Sequence, residues 1–138
     1  LAKIIHSNRN PVDSAFSIYR NVFDSPGVGW AYNQDYLTKY VNLYNNLMSF
    51  WKQKLGNYIY ESHYEKLVTQ QVNETKNILK FCNLKFEDSC VNYTNNNIPS
   101  RTISVYQVRE KIYKSSLNLS DKYLNYFPFL NQVKKKAP

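Results

Sequence analysis

The pattern of apolar and polar residues predicts a helix that begins at Pro11. Four apolar side chains recur at spacings of four, three and four and predict one buried face: Val12, Phe16, Tyr19 and Phe23. Asn10 is a candidate N-cap, and proline suits the first helical position because that position needs no N–H donor. Asp13, Ser17 and Arg20 fall on a neighbouring face. The pattern therefore separates a core face from a polar face.

A second apolar stripe runs through residues 34–55 and predicts the longest helix of the chain. Its members are Tyr36, Tyr40, Leu43, Leu47 and Trp51. Polar residues occupy the other sides of this helix, and Gly56 is expected to end it. We interpret the stripe as core rather than as a cofactor site, because aromatic residues at helical spacing most often pack in the interior.

Two short β-rich runs each lead into a helix. The first is "AKIIH" (residues 2–6), and the second lies within residues 57–68, where we expect the change from strand to helix at Ser62. Strands that lead into helices favour parallel pairing through a crossover. Further helices are predicted over 71–82, 86–93 and 120–133, the last interrupted by Pro128. The inward residues of the helix over 71–82 are expected to be Val72, Thr75, Ile78, Leu79 and Cys82. The fold class is therefore α/β, dominated by helices, with about two parallel strands.

Composition narrows the choice of partners. The 138 residues carry a net charge of +8, which favours a polyanion or a multiply phosphorylated small molecule. No zinc-finger spacing or RNA-recognition signature accompanies the charge, so nucleic acid is not expected as a partner. Cys82 and Cys90 lack the spacing of a metal site. No apolar run is long enough to cross a bilayer, and we expect a cytoplasmic domain without a metal.

Arg9 stands directly before the first helix, where a strand, a tight turn and a helix follow one another. This arrangement can present the N-terminus of a helix to a phosphate, and Arg9 and Ser17 would add donors beside it. It is also a common arrangement in proteins that bind no anion. From these residues alone, a purely structural role is favoured and phosphate binding remains open.

The stretch "AKIIHSNRNPVDSAFSIYR" (residues 2–20) closely resembles the segment of the sulfotransferase family that binds the 3′-phosphate of 3′-phosphoadenosine 5′-phosphosulfate. In that family an arginine opens an R-x-P-x-D-type turn, and a serine follows eight residues later. The corresponding residues here are Arg9 and Ser17. The resemblance implies that both hold the 3′-phosphate.

Three later stretches also resemble this family. "YVNLYNNLMSFWKQKL" is similar to the long helix of bacterial sulfotransferases associated with tetratricopeptide repeats, and "IYESHYEKLV" is similar to their strand that ends in Tyr-Glu-x-Leu. "RTISVYQVREKIYKSS" resembles a loop near the cofactor that is shared in part with tyrosylprotein sulfotransferases. The resemblance implies that Tyr64 contacts the adenine, and that Ser104, Lys114 and Ser116 supply further cofactor donors. We also expect Tyr64 to lie close to Arg9, because parallel strands end at one edge of a sheet.

By this resemblance, residues 1–138 form the C-terminal part of a P-loop-type sulfotransferase domain. The complete enzyme would transfer a sulfuryl group from the nucleotide to a hydroxyl or amine acceptor and release adenosine 3′,5′-bisphosphate. The loop for the 5′-phosphosulfate and the acid–base residue are expected upstream of Leu1. We therefore predict no catalytic residue in this chain, a half-site for the 3′-phosphate and adenine, and no turnover by the chain alone. The alternative is a non-catalytic, basic helical module that binds a polyanion or a protein.

Overall fold

A computed structural model describes residues 2–24, 26–92 and 111–135 of the chain. The chain divides into two compact units. The strand unit comprises Leu1–Asn8 and Tyr60–Lys114, and the helical unit comprises Arg9–Ile59 and Ser115–Pro138.

The two predicted strands form a parallel pair. Strand β1 spans Ile4–Asn8 and strand β2 spans Ile59–His63. Helices α3 (Tyr64–Thr69) and α4 (Gln71–Phe81) follow β2 in the strand unit. The change from strand to helix comes at Tyr64, two residues later than the predicted position. The predicted helix-dominated α/β fold is confirmed.

The predicted inward face of α4 is correct except at Val72, and a buried carboxyl group joins it. Glu74 is buried and Val72 is exposed, while the other residues predicted to be inward are partly buried: Thr75, Ile78, Leu79 and Cys82. Tyr60 donates its hydroxyl hydrogen bond to Glu74 Oε1 over 3.1 Å. Burial first, and then this hydrogen bond, raises the pKa of Tyr60 above its ordinary value. The apolar period missed Glu74 because a hydrogen-bonded partner makes its burial tolerable.

The helical unit is built from α1 (Pro11–Arg20), α2 (Gln34–Leu55) and α5 (Phe129–Lys135). One core joins the three helices and consists of Val12, Ala15, Phe16, Leu37, Val41, Phe129, Leu130 and Val133. A short 3₁₀ segment, Leu119–Tyr123, precedes α5. The predicted closing helix over 120–133 is therefore two separate pieces, and Pro128 lies directly before the second.

Helix α1 begins as predicted. The side-chain oxygen of Asn10 accepts hydrogen bonds from the backbone N–H groups of Val12 and Asp13, at 2.8 and 3.3 Å. Val12 and Phe16 are buried in the core, as the apolar stripe predicts. Phe23, the last residue of that stripe, lies beyond the end of α1 and is 40% exposed. Asp13 departs from the expected polar face, because it is only 2% exposed.

Helix α2 has its predicted bounds but not its predicted core face. The residues of the predicted stripe (Tyr36, Tyr40, Leu43, Leu47 and Trp51) are between 42% and 65% exposed. The buried residues of the helix are Leu37, Thr38 and Val41, which belong to a different face. The interpretation of the stripe as core is therefore wrong for this unit. Gly56 ends the helix with φ of 47°.

Candidate functional site

The site residues of the helical unit begin with Arg9, between β1 and α1. Its side chain is half-buried, and its guanidinium Nη2 donates a hydrogen bond to the carbonyl oxygen of Ser116 over 2.8 Å. The two residues are 107 positions apart in sequence. The structure therefore brings together two of the predicted cofactor-binding residues.

Asp13 makes two further bonds to the same part of the chain. Its Oδ2 accepts from the backbone N–H of Asn118, and its Oδ1 accepts from the backbone N–H of Ser120, both at 2.8 Å. Asn118 has a left-handed backbone with φ of 52°, which asparagine tolerates better than most residues. We call residues 116–120 the closing loop. Three hydrogen bonds from two side chains thus fix this loop to the start of α1.

The chain from the closing loop onwards runs beside α1 in the same direction as the helix. Ser116 meets Arg9, Asn118 and Ser120 meet Asp13, and further along the ring of Tyr123 stacks on Phe16. The two ring centroids are 4.5 Å apart and the ring planes differ by 23°. One side of α1 is therefore lined by a single continuous segment.

Ser17 lies one helical turn after Asp13 on the same side of α1. It is half-buried, and its hydroxyl oxygen accepts a weak hydrogen bond from Asn21 Nδ2 over 3.4 Å. The guanidinium of Arg20 lies 5.6 Å from the centre of the Phe16 ring, in a cation–π contact. Arg9, Asp13 and Ser17 thus follow one another at intervals of four residues.

The remaining predicted residues fall elsewhere. Tyr64 is half-buried and is the first residue of α3 in the strand unit. Lys114 is exposed and is the last residue assigned to that unit. Ser104 lies outside the described residues. The predicted proximity of Tyr64 to Arg9 concerns residues of different units and stays a prediction.

Asp13 is the part of this site that sequence reasoning missed. Its position in the first helical turn suggested only a favourable charge near the helix N-terminus. The aspartate of the R-x-P-x-D turn was a usable signal, since it stands at a fixed distance from the arginine. Its partners were not predictable, because both are backbone groups more than 100 residues away.

Residues 2–24, 26–92 and 111–135 contain no group of three or more His, Cys, Asp or Glu side chains placed to hold a metal ion. Among the same residues, no helix combines the length and the apolar character needed to cross a bilayer. Cys82 and Cys90 are both free thiols.

Comparison with known proteins gives the family. The family model described as "Sulfotransferase family" matches residues 1–88, which is more than half of the chain and includes Arg9, Ser17 and Tyr64. The chain belongs to the sulfotransferase family.

One relative extends the likeness beyond the matched region. An uncharacterized protein of Aquifex aeolicus (strain VF5) is 32% identical over 134 residues, which is 96% of this chain. The chain spans only 17% of that relative's length. No solved structure matches the chain.

Proposed function

We propose that this chain contributes to a sulfotransferase that uses 3′-phosphoadenosine 5′-phosphosulfate, and that its helical unit holds the 3′-phosphate of the nucleotide. The proposed ligands in this unit are Arg9, Ser17 and Ser116. The observation that carries the proposal is the hydrogen bond from the Arg9 guanidinium to the Ser116 carbonyl, because it joins the closing loop to the arginine that the family resemblance implies as a phosphate ligand.

The chemistry of these groups fits a phosphate. A guanidinium presents five N–H donors in one plane, so donating to a carbonyl and binding a phosphate oxygen are compatible. Bonds from a guanidinium to phosphate are charge-assisted and often forked. The hydroxyls of Ser17 and Ser116 add uncharged donors, and both side chains are half-buried. A net charge of +8 favours the approach of such an anion.

The cofactor, when bound, supplies the sulfuryl group that is transferred. The contribution of this chain is to bind and orient the nucleotide through its 3′ end. Binding energy from a non-reacting part of a substrate can position the reacting part, so a firm hold on the 3′-phosphate would favour transfer at the 5′ end.

Several parts of the proposal rest on the family resemblance alone. These are the adenine contact of Tyr64, the donors from Ser104 and Lys114, and a hydroxyl or amine acceptor. A cytoplasmic location stays a prediction. Absence of turnover by the chain alone also stays a prediction.

The test compares adenosine 3′,5′-bisphosphate with adenosine 5′-monophosphate by isothermal titration calorimetry. The chain is expected to bind the bisphosphate more tightly. Arg9→Ala should weaken bisphosphate binding by about 1.5 to 3 kcal/mol, the range for hydrogen bonds to charged groups, and leave monophosphate binding nearly unchanged. Arg9→Lys keeps the charge but loses the fork, so it should recover only part of the preference.

Lys39→Ala is the matched control, because it removes the same charge from an exposed position of α2. It should preserve the preference for the bisphosphate. Equal binding of both nucleotides by the unsubstituted chain would overturn the proposal. If the equal binding also fell steeply with salt, the alternative of a general polyanion-binding module would be supported instead.

A further inference from the structure

A buried carboxylate stands in the sequence between two of the proposed phosphate ligands, Arg9 and Ser17. Asp13 follows Arg9, which precedes α1, by four residues, and lies one helical turn before Ser17 within α1. It is 2% exposed, and the surrounding protein therefore screens its charge poorly. A negative charge at this place opposes the binding of an anion. A carboxylate beside the proposed phosphate site therefore needs a role that offsets this repulsion.

The contacts of Asp13 indicate that role. Each of its two oxygens accepts a backbone N–H of the closing loop, from Asn118 and from Ser120. These backbone donors partly neutralise the buried carboxylate, and hydrogen bonds to a charged acceptor are among the stronger ones in proteins. Two residues before Asn118, the loop presents the Ser116 carbonyl that receives the Arg9 guanidinium. The same loop thus connects Asp13 to Arg9.

We propose that Asp13 is a positioning residue for the 3′-phosphate site. By holding the backbone of Asn118 and Ser120, it fixes the Ser116 carbonyl, and this carbonyl in turn fixes the Arg9 guanidinium on the side of α1 that carries Ser17. Asp13 does not contact the nucleotide in this proposal. The inference rests on the proposed function, because it concerns the same site.

The direction in which one substitution changes the affinity for the bisphosphate distinguishes a positioning role from a purely electrostatic effect. Asp13→Asn keeps the size of the side chain and removes its charge. An asparagine has one oxygen acceptor, so only one of the two loop N–H groups keeps a partner. If Asp13 acted only through its charge, its removal would tighten the binding of the bisphosphate. If it positions the loop, the same change weakens binding.

The experiment measures the affinity of the Asp13→Asn chain for adenosine 3′,5′-bisphosphate and for adenosine 5′-monophosphate by calorimetry. We expect about tenfold weaker binding of the bisphosphate, equivalent to the loss of one charge-assisted hydrogen bond, and little change for the monophosphate. Asp35→Asn is the matched control, because it removes the same charge from an exposed position in the first turn of α2. It should leave the preference for the bisphosphate unchanged.

A measurement on the unsubstituted chain covers the case in which Asp13→Asn does not fold. Saturating bisphosphate should slow hydrogen exchange at the Asn118 and Ser120 amides more than saturating monophosphate does, because a 3′-phosphate bound to Arg9 would further restrain the guanidinium that donates to the loop. Circular dichroism and urea denaturation establish whether the variant is folded before its affinity is compared.

The outcomes distinguish this inference from the proposed function. A preference for the bisphosphate that survives Asp13→Asn, or tighter binding by this folded variant, would overturn the positioning role and leave the proposed function intact. Equal amide exchange with the two nucleotides would do the same. No preference in the unsubstituted chain would overturn both.

Discussion

Helices α1 and α2 were both predicted from apolar stripes at helical spacing, yet only α1 buries part of its stripe in the core. In α1, Val12 and Phe16 are buried at the predicted positions. In α2, the predicted stripe is exposed, and Leu37 and Val41 take the core positions. A helical period identifies an apolar face, but the burial of that face depends on which other elements pack against it.

The two helices differ in what lies beside them. The chain after the closing loop follows α1, where Tyr123 stacks on Phe16 and Phe127 packs against the same core. On α2, the Tyr40 ring of the stripe stacks on Trp30, with centroids 4.0 Å apart. Two of the five residues of this stripe are tyrosines, whose hydroxyl groups remain compatible with water.

The largest change in the free energy of unfolding is expected within α2, where a buried leucine can be compared with an exposed leucine of the stripe. Leu37 is 0% exposed and Leu47 is 49% exposed. Leu37→Ala should lower the free energy of unfolding by about 2 to 5 kcal/mol, because it removes buried methyl groups and leaves a cavity. Leu47→Ala should lower it by less than about 1 kcal/mol, since much of that side chain already contacts water. Urea denaturation followed by circular dichroism measures both changes.

Equal losses in the two variants would show that the stripe is covered in solution. Repeating the denaturation at several protein concentrations would then separate self-association from burial within one chain, because only self-association makes the midpoint depend on concentration.

The contrast also shows how far the sequence predicted the fold. The bounds of α2, the N-cap of α1 and the parallel strand pair were all predictable, because local signals specify them: Asn10 and Pro11 at one helix start, and Gly56 at one helix end. The buried face of α2 and the burial of Glu74 were not. Both depend on contacts between elements that are distant in sequence, and the period of one helix contains no information about such contacts.

The candidate site also has one part that the sequence predicted and another that it did not. The R-x-P-x-D motif and the family resemblance were enough to name Arg9 and Ser17 as candidates from residue type and spacing. The partners of Arg9 and Asp13 in the closing loop required the structure, because a backbone carbonyl and two backbone N–H groups leave no signature in residue type.

The next largest change in the free energy of unfolding is expected at the helix ends. Gly56 ends α2 with φ of 47° and ψ of −115°, whereas Asn21 ends α1 with φ of −87° and ψ of 145°. A β-carbon at Gly56 would meet no atom within 4 Å, so any cost of Gly56→Ala comes from the backbone conformation. We expect a loss of about 1 to 3 kcal/mol for Gly56→Ala, because residues with a β-carbon rarely adopt this conformation.

Asn21→Ala is the control at the end of α1, where the extended backbone suits any residue. It should change the free energy of unfolding by less than about 0.5 kcal/mol. A Gly56→Ala variant as stable as Asn21→Ala would show that α2 ends differently in solution from the conformation described here.

The smallest change in the free energy of unfolding is expected at the starts of α1 and α2, which are both capped by an asparagine. The side-chain oxygen of Asn10 accepts from two backbone N–H groups of α1, those of Val12 and Asp13, whereas that of Asn33 accepts from one in α2, that of Tyr36. Replacing a capping asparagine by alanine costs about 0.5 to 2 kcal/mol. Asn10→Ala should fall in the upper part of this range, because it leaves two donors unpaired at a half-buried position. Asn33→Ala should fall in the lower part, because Asn33 and Tyr36 are both exposed and water can replace the lost bond.

Urea denaturation of the two variants measures the difference, and Asn42→Ala, within α2, supplies the baseline for losing an asparagine that caps no helix. A larger loss for Asn33→Ala would mean that the start of α2, rather than that of α1, is the better protected from water.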